Sequence, residues 1–124
     1  MTNESAPAAR LNGYLAAVRI AHEAIYDLSG SVVAGSTEQA LARRLLAESA
    51  RITLTEVPAL TMAARRLAQT WHEQSVLDAD ATAGTQGHLA EELDRIAPQL
   101  RRRIHRQREI ARELQQLVEG AGER

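Results

Sequence analysis

The chain has no cysteine and no phenylalanine among its 124 residues, and all fifteen of its Lys or Arg positions hold arginine. Without cysteine it can form neither a disulfide bond nor a cysteine-ligated zinc site, which suits a reducing compartment. Two tyrosines and one tryptophan are the only aromatic residues, whereas sheet proteins are enriched in aromatic side chains. Alanine and leucine are abundant and are strong helix formers, so we expect an all-α protein.

Long apolar runs are also missing. An uncharged stretch such as residues 28–37 covers only about half of the roughly 20 residues that a membrane helix needs, and residues 1–10 lack the apolar segment of a secretory signal. The formal net charge of -1 gives the whole molecule no long-range attraction for nucleic acid or acidic membranes. We expect a single cytoplasmic domain over residues 6–119, with disordered tails at residues 1–5 and 120–124 and no membrane partner.

No sequence motif of a catalytic or metal site occurs. There is no glycine-rich phosphate loop and no nucleophile with a neighbouring base at diagnostic spacing. None of the four histidines follows a glutamate by three residues, as in carboxylate-bridged di-iron bundles, and no His-Glu-x-x-His segment is present. His88 with Glu92, and His105 with Glu109, have the spacing of ordinary surface pairs on a helix. The sequence therefore predicts no enzyme, no cofactor and no metal site.

The first predicted helix starts near Pro7, because proline suits the first turn of a helix. One face of the pattern that follows is apolar and comprises Leu11, Tyr14, Leu15, Val18, Ile25 and Val32. A second sector, mostly of small residues that would let another helix approach closely, comprises Gly13, Ala17, Ile20 and Ala24. We expect the helix to end between Ser29 and Gly35.

A second helical segment begins at Ser36, which can cap the helix while Gln39 reaches back as in a capping box. Its apolar positions stay in phase, at about 100° per residue, on both sides of Pro58. They are Leu41, Leu45, Ile52, Leu60, Ala63, Leu67 and Trp71. This phase favours one helix kinked at Pro58. Proline inside a helix costs about 3 kcal/mol, so a break into two antiparallel helices near Val57 is the alternative.

The polar, glycine-containing segment from Asp78 to Gly87 predicts an interior loop. The last helix follows over residues 86–119, with an apolar seam of Leu89, Leu93, Ile96, Leu100, Ile104, Ala111, Leu114 and Val118. Glu91, Glu92 and Asp94 fall near its predicted start, where acidic side chains complement the helix dipole.

These three amphipathic segments can bury their apolar faces only against one another. They predict an antiparallel bundle of three long helices, or of four if Pro58 breaks the middle one. A continuous middle helix would be about 60 Å long against about 40 Å for the first. Helices this unequal leave apolar surface uncovered unless the middle one breaks or a second chain covers it. We therefore expect a homodimer or a protein partner.

The last helix is rich in arginine, which forms bidentate contacts with phosphate. A polyanion-binding set would comprise Arg101, Arg102, Arg106, Arg108 and Arg112. The favoured interpretation is a solvated face paired with acids of this and neighbouring helices, because no aromatic residue is interspersed to stack on bases. Nucleic-acid binding is the less favoured hypothesis.

Several polar residues project toward the predicted core, where they need hydrogen-bond partners. They are His22 and Ser29 in the first helix, Ser49, Thr53 and Glu56 in the second, and Gln107 in the third. The favoured interpretation is a hydrogen-bonded layer that fixes the register of the helices. The alternative is a small-ligand pocket lined by His22, Glu56 and Gln107.

The sequence as a whole predicts a non-enzymatic helical interaction protein that self-associates or acts as an adaptor for a partner. The alternative is nucleic-acid or polyanion binding through the arginine-rich last helix. A small-ligand or metal-binding helical bundle is the third hypothesis.

Overall fold

The computed structural model describes residues 6–74 and 81–122, and within these ranges the chain is helical except at residues 31–36 and contains no strand. The helices are α1 (Ala6–Gly30), α2 (Thr37–Arg51), α3 (Val57–Gln74) and α4 (Ala81–Gly122). A five-residue π-helical turn, Ile52–Glu56, joins α2 to α3, so these two form one continuous middle helix. The predicted all-α bundle of three long helices is confirmed, and Pro58 does not break the middle one.

Contacts between the helices define their directions. Arg65 of α3 donates to Asn12 near the start of α1 at 2.8 Å, while His22 further along α1 contacts Ser49 of α2. The middle helix is therefore antiparallel to α1. α4 packs along both α1 and the middle helix and runs parallel to α1, because Arg10 faces Asp94 across 3.9 Å and the Gln107 side chain reaches the backbone of Val18.

The end of α1 and the cap of α2 agree with the sequence prediction, except for the hydrogen bond of the Gln39 side chain. α1 ends at Gly30, within the predicted interval, and Gly35 has the left-handed backbone angle, with φ of 78°. The Ser36 hydroxyl caps α2 by accepting from the backbone N–H of Gln39 at 3.1 Å. The Gln39 side chain reaches back to the N–H of Gly35, at 2.7 Å, and not to that of Ser36 as in the predicted capping box.

The π turn changes which face of α3 is buried. Within it, the backbone N–H of Val57 donates to the carbonyl of Ile52, five residues back. Pro58 has no N–H and its ring crowds the carbonyl four residues back, and the wider turn lies immediately before it, where it eases this crowding. The turn holds one more residue than an α-helical turn, so the buried face after it moves by one position.

The buried positions on α3 are consequently displaced by one residue from the prediction. The expectation was Leu60, Ala63 and Leu67, but the buried residues are Thr61, Ala64 and Ala68. Leu60 still packs against the core, partly buried, whereas Ala63 and Leu67 are exposed. Leu67 exposes 44% of its surface, and Leu41 of α2 exposes 43%. The side chain of Trp71 lies outside the described residues.

The core forms along one side of α4, and its predicted seam is confirmed. Leu93, Ile96, Leu100 and Leu114 are buried, and the other seam positions, Leu89, Ile104, Ala111 and Val118, pack against them partly buried. Ala97 and Ile110 are also buried. Each large apolar side chain removed from water contributes about 1.5–3 kcal/mol. Gln107 is the polar residue that interrupts this seam.

α4 is longer than the sequence predicts. It begins at Ala81, so residues 81–87 are helical where a loop was expected, and Glu91, Glu92 and Asp94 lie beyond its first turn. The helix also continues through Gly120 to Gly122. The remainder of the predicted loop and tails, at residues 78–80, 1–5 and 123–124, lies outside the described residues.

None of the helices in the described ranges is both long enough and apolar enough to cross a membrane.

Candidate functional site

The three helices meet at a buried polar cluster centred on Gln107, which is completely shielded from solvent. Its side-chain nitrogen Nε2 donates to the Thr53 hydroxyl at 2.8 Å. The same nitrogen lies 3.3 Å from the backbone carbonyl of Val18 and 3.4 Å from the Ser49 hydroxyl. The two hydrogens of Nε2 thus connect α4 both to the middle helix and to the backbone of α1.

Ser49 extends this cluster to a second side chain of α1. Its hydroxyl lies 2.8 Å from Nδ1 of the partly buried His22. We call His22, Ser49, Thr53 and Gln107 the polar layer. Its contacts join α1, the middle helix and α4, and so oppose sliding of one helix along another. The Gln107 oxygen Oε1 is buried without a hydrogen-bond partner among the described residues, so the layer is not fully satisfied.

Glu56 does not join the polar layer, although the sequence placed it there. One of its carboxylate oxygens accepts from Arg103 of α4 at 2.9 Å, and the other accepts from Arg51 at 3.0 Å. A cavity of about 260 Å³ lies elsewhere, at the end of the bundle where α1 meets α2. It is lined by Tyr26, Ser29, Gly30, Gln39, Ala42, Arg43 and Leu46. His22, Glu56 and Gln107 therefore do not form the pocket that the sequence suggested.

Arg106 of α4 and Glu48 of α2 form a bidentate ion pair between helices. Nε and Nη2 of Arg106 donate to the two carboxylate oxygens of Glu48, the second at 2.8 Å, in the bidentate geometry that arginine favours. The hydrogen bond from Arg106 lowers the pKa of Glu48 and outweighs burial, which acts in the opposite direction. The same bond raises the pKa of Arg106 above its ordinary value. Glu113 lies 3.6 Å from the guanidinium on its other side.

The predicted polyanion-binding set therefore contains one paired arginine and four exposed ones. Arg106 is paired with Glu48. Arg103, which lies nearby on α4 but outside the set, is similarly paired with Glu56. The other members of the set are exposed and have no ion pair with a described residue: Arg101, Arg102, Arg108 and Arg112. Pairing of part of this surface with neighbouring acids agrees with the favoured interpretation of the sequence. The sequence did not identify Glu48 and Glu56 as the partners, because the choice depends on how two distant helices align.

The outward side of α1 is an open apolar surface. Gly13, Ala17, Ile20 and Ala24, the predicted small-residue sector, are all exposed, and we call them the α1 outer face. Ile20 exposes 68% of its surface, and a Cβ atom built on Gly13 would meet nothing within 4 Å. The described chain leaves this face uncovered.

The described histidines make pairwise contacts with neighbouring side chains. His105 lies 3.8 Å from Glu109 as its spacing predicted, but His88 pairs with Glu91 at 3.6 Å. The predicted partner Glu92 instead accepts from Arg95 at 2.6 Å. Across residues 6–74 and 81–122, no group of three or more histidine, cysteine or acidic side chains is arranged to hold a metal ion.

Comparison with protein-family models, curated proteins and solved structures finds no match to this chain.

Proposed function

We propose that this chain is a non-enzymatic helical interaction protein that self-associates, or that docks on a protein partner as an adaptor. The observation that carries this proposal is the α1 outer face, which is apolar and uncovered. α1 buries Leu11, Val18 and Ile25 on its inner side, so it is apolar on two sides. An exposed apolar face on a helix whose other side is already buried is a candidate surface for a protein partner.

The polar groups support an interaction role more than a catalytic one. His22 belongs to the polar layer, while His88 and His105 pair with neighbouring glutamates on α4. None of these three histidines lines the cavity between α1 and α2. A cytoplasmic location forms part of the proposal, because a chain without cysteine is suited to a reducing compartment.

Light scattering after size exclusion tests the proposal. We expect the wild-type chain at micromolar concentration to have the mass of more than one copy. Ile20→Arg places a charge in the centre of the α1 outer face and should shift the chain toward a single copy. Leu54→Arg is the matched control, because Leu54 is 71% exposed on the π turn and does not belong to that face. A wild-type chain that stays strictly monomeric at high micromolar concentration would contradict self-association.

Polyanion binding is a second candidate, supported by the four exposed arginines of α4 that have no described acidic partner. Replacing Arg101, Arg102, Arg108 and Arg112 with Gln should abolish a low-salt mobility shift on duplex DNA, and wild-type binding should weaken steeply with salt. The control replaces four exposed arginines elsewhere, Arg19, Arg43, Arg44 and Arg66, and removes the same charge. The absence of any wild-type shift at low salt would eliminate this candidate.

A further inference from the structure

Acidic side chains border the α1 outer face on the side nearer α3. Glu23 lies three helical turns beyond Asn12 on the same side of α1, and Asn12 accepts a hydrogen bond from Arg65 of α3. Asp27 follows Glu23 by about one more turn. Both carboxylates are exposed, and neither has an ion pair with a described residue. This side of α1 therefore carries two exposed carboxylates, with one exposed arginine, Arg19, one turn before Glu23, and its net charge is negative.

Arginines border the same face on the side nearer α4. Arg112 lies five helical turns beyond Asp94 and so projects on the same side of α4, where Asp94 faces Arg10 of α1 across 3.9 Å. Arg108 precedes Arg112 by about one turn. Both arginines are exposed and without an ion pair to a described acid. The α1 outer face thus lies between a negative and a positive border.

The two borders lie at the same height in the bundle. α1 and α4 are parallel, and the contacts of Arg10 with Asp94 and of Val18 with Gln107 relate their levels. Counting onward from these contacts at equal rise per residue places Arg112 level with the turn from Glu23 to Asp27. Arg108 lies about one turn lower.

We propose that the α1 outer face binds a second copy of this chain, with the two α1 helices parallel and related by a two-fold axis along their length. This inference rests on the self-association proposed above. Such an axis brings the acidic border of each copy against the arginine border of the other, at the same height. An antiparallel pair would turn the acidic side of each copy toward the acidic side of the other, so neither border would meet its opposite charge. Charge complementarity therefore selects the parallel pair.

The residues of the α1 outer face suit a close approach of two helices. They recur at alternating steps of four and three, which is the spacing of a seam between paired helices. Gly13, Ala17 and Ala24 are small enough to let the helix backbones come near each other. Ile20 supplies the large apolar group that the second copy would remove from water.

Single-cysteine variants of the full chain test this arrangement, because the sequence has no cysteine of its own. Gly13→Cys and Ala24→Cys lie three turns apart on the seam. In the parallel pair each position meets its own copy, so both variants should form disulfide-linked dimers on mild oxidation. An antiparallel pair would bring at most one of them within bonding distance. Ala59→Cys, at an exposed position of α3, is the control and should remain unlinked.

Charge reversal tests the two borders. The variant with Glu23→Arg and Asp27→Arg, and the variant with Arg108→Glu and Arg112→Glu, each place like charges together at both junctions. Dimerisation of each variant alone should weaken about tenfold. An equal mixture of the two restores opposite charges at both junctions, so a mixed dimer should form about as tightly as the wild-type dimer. Circular dichroism checks that both variants remain helical.

The outcomes separate this inference from the proposal on which it rests. A dimer seen by light scattering in which neither cysteine position, or only one, becomes linked would overturn the parallel arrangement and leave self-association standing. A mixture of the charge variants that dimerises no better than its components would do the same. A strictly monomeric wild-type chain would overturn both.

Discussion

Gln107 and Thr53 are joined at the centre of the bundle, where the side-chain amide of Gln107 donates to the Thr53 hydroxyl at 2.8 Å. This bond belongs to a layer that touches all three helices, while the Gln107 oxygen has no partner among the described residues. The buried amide therefore combines a favourable contact with an uncompensated cost of burial. The contribution of Gln107 to stability is accordingly expected to come mainly from the space that it fills.

Gln107→Met tests this expectation, because methionine keeps most of the volume and removes the buried oxygen. We expect the free energy of unfolding to change by less than about 1.5 kcal/mol. Gln107→Ala leaves a cavity and should lower it by about 2–4 kcal/mol. Urea unfolding at one fixed protein concentration measures both. Equal losses for Met and Ala would show that the hydrogen bonds, and not the volume, dominate.

The Glu48–Arg106 pair should make stability depend on pH at the acidic end. Arg106 lowers the pKa of Glu48 in the folded chain, whereas a glutamate in an unfolded chain has a pKa of about 4.3. The ion pair therefore stabilises the fold fully at a pH above the pKa of Glu48 in the unfolded chain, and this stabilisation is lost as the pH falls through the lowered pKa of the folded chain. Glu48→Gln should cost about 1–2 kcal/mol near neutral pH, since the pair is hydrogen-bonded but partly exposed.

That cost should shrink toward zero at a pH below both pKa values, because Glu48 is then neutral in the wild type as well. Denaturant unfolding near pH 7 and in strong acid makes the comparison. Glu91→Gln is the control, because the Glu91 side chain is 67% exposed and should show little effect at either pH. A cost for Glu48→Gln that stays constant with pH would contradict an electrostatic origin.

The π turn makes a prediction about two adjacent alanines of α3. Ala64 is buried, with 1% of its surface exposed, and Ala63 faces solvent. Ala64→Leu should therefore destabilise the protein by about 1–3 kcal/mol through overpacking. Ala63→Leu should change stability by less than about 0.5 kcal/mol. Thermal unfolding compares the two, and the reverse order would mean that the middle helix keeps a regular α-helical phase through Pro58.

Two glycines at the turn between α1 and α2 should respond in opposite ways to alanine. Gly35 has a left-handed backbone, so Gly35→Ala should cost about 1–2 kcal/mol. Gly30 ends α1 with a helical backbone and open space around it, so Gly30→Ala should be neutral or stabilise by up to about 1 kcal/mol. Differential scanning calorimetry measures both changes. A neutral Gly35→Ala would argue against the left-handed conformation.

Local sequence patterns correctly predicted the helices whose apolar residues follow the regular α-helical repeat throughout. The seam of α4, the apolar face of α1 and the cap at Ser36 are properties of neighbouring residues, and the structure confirms them. Pro58 was also correctly expected to lie within a continuous helix. The face of α3 could not be predicted in the same way, because a π turn changes the number of residues per turn without an unambiguous sequence signal. α4 likewise begins at Ala81, within a segment whose composition favours a loop.

The polar layer also has parts that the sequence predicted and one that it did not. Gln107 interrupts an apolar seam and was therefore recognisable from periodicity, as were His22, Ser49 and Thr53. Glu56 occupies an apolar sector at regular spacing, yet its carboxylate turns toward Arg51 and Arg103. Glu56 is the last residue of the π turn and does not project where a regular helix would place it, so spacing alone could not assign its partner.

The sequence by itself determined three amphipathic helices, a chain without cysteine chemistry, and an arginine-rich last helix, because composition and periodicity are local properties. Only the tertiary structure decided which arginines pair with Glu48 and Glu56 and which other arginines remain exposed. It also decided that the α1 outer face is left uncovered. Those outcomes depend on how helices distant in sequence align and rotate against one another. Charges and apolar groups act across a few ångströms in space, whatever their separation along the chain.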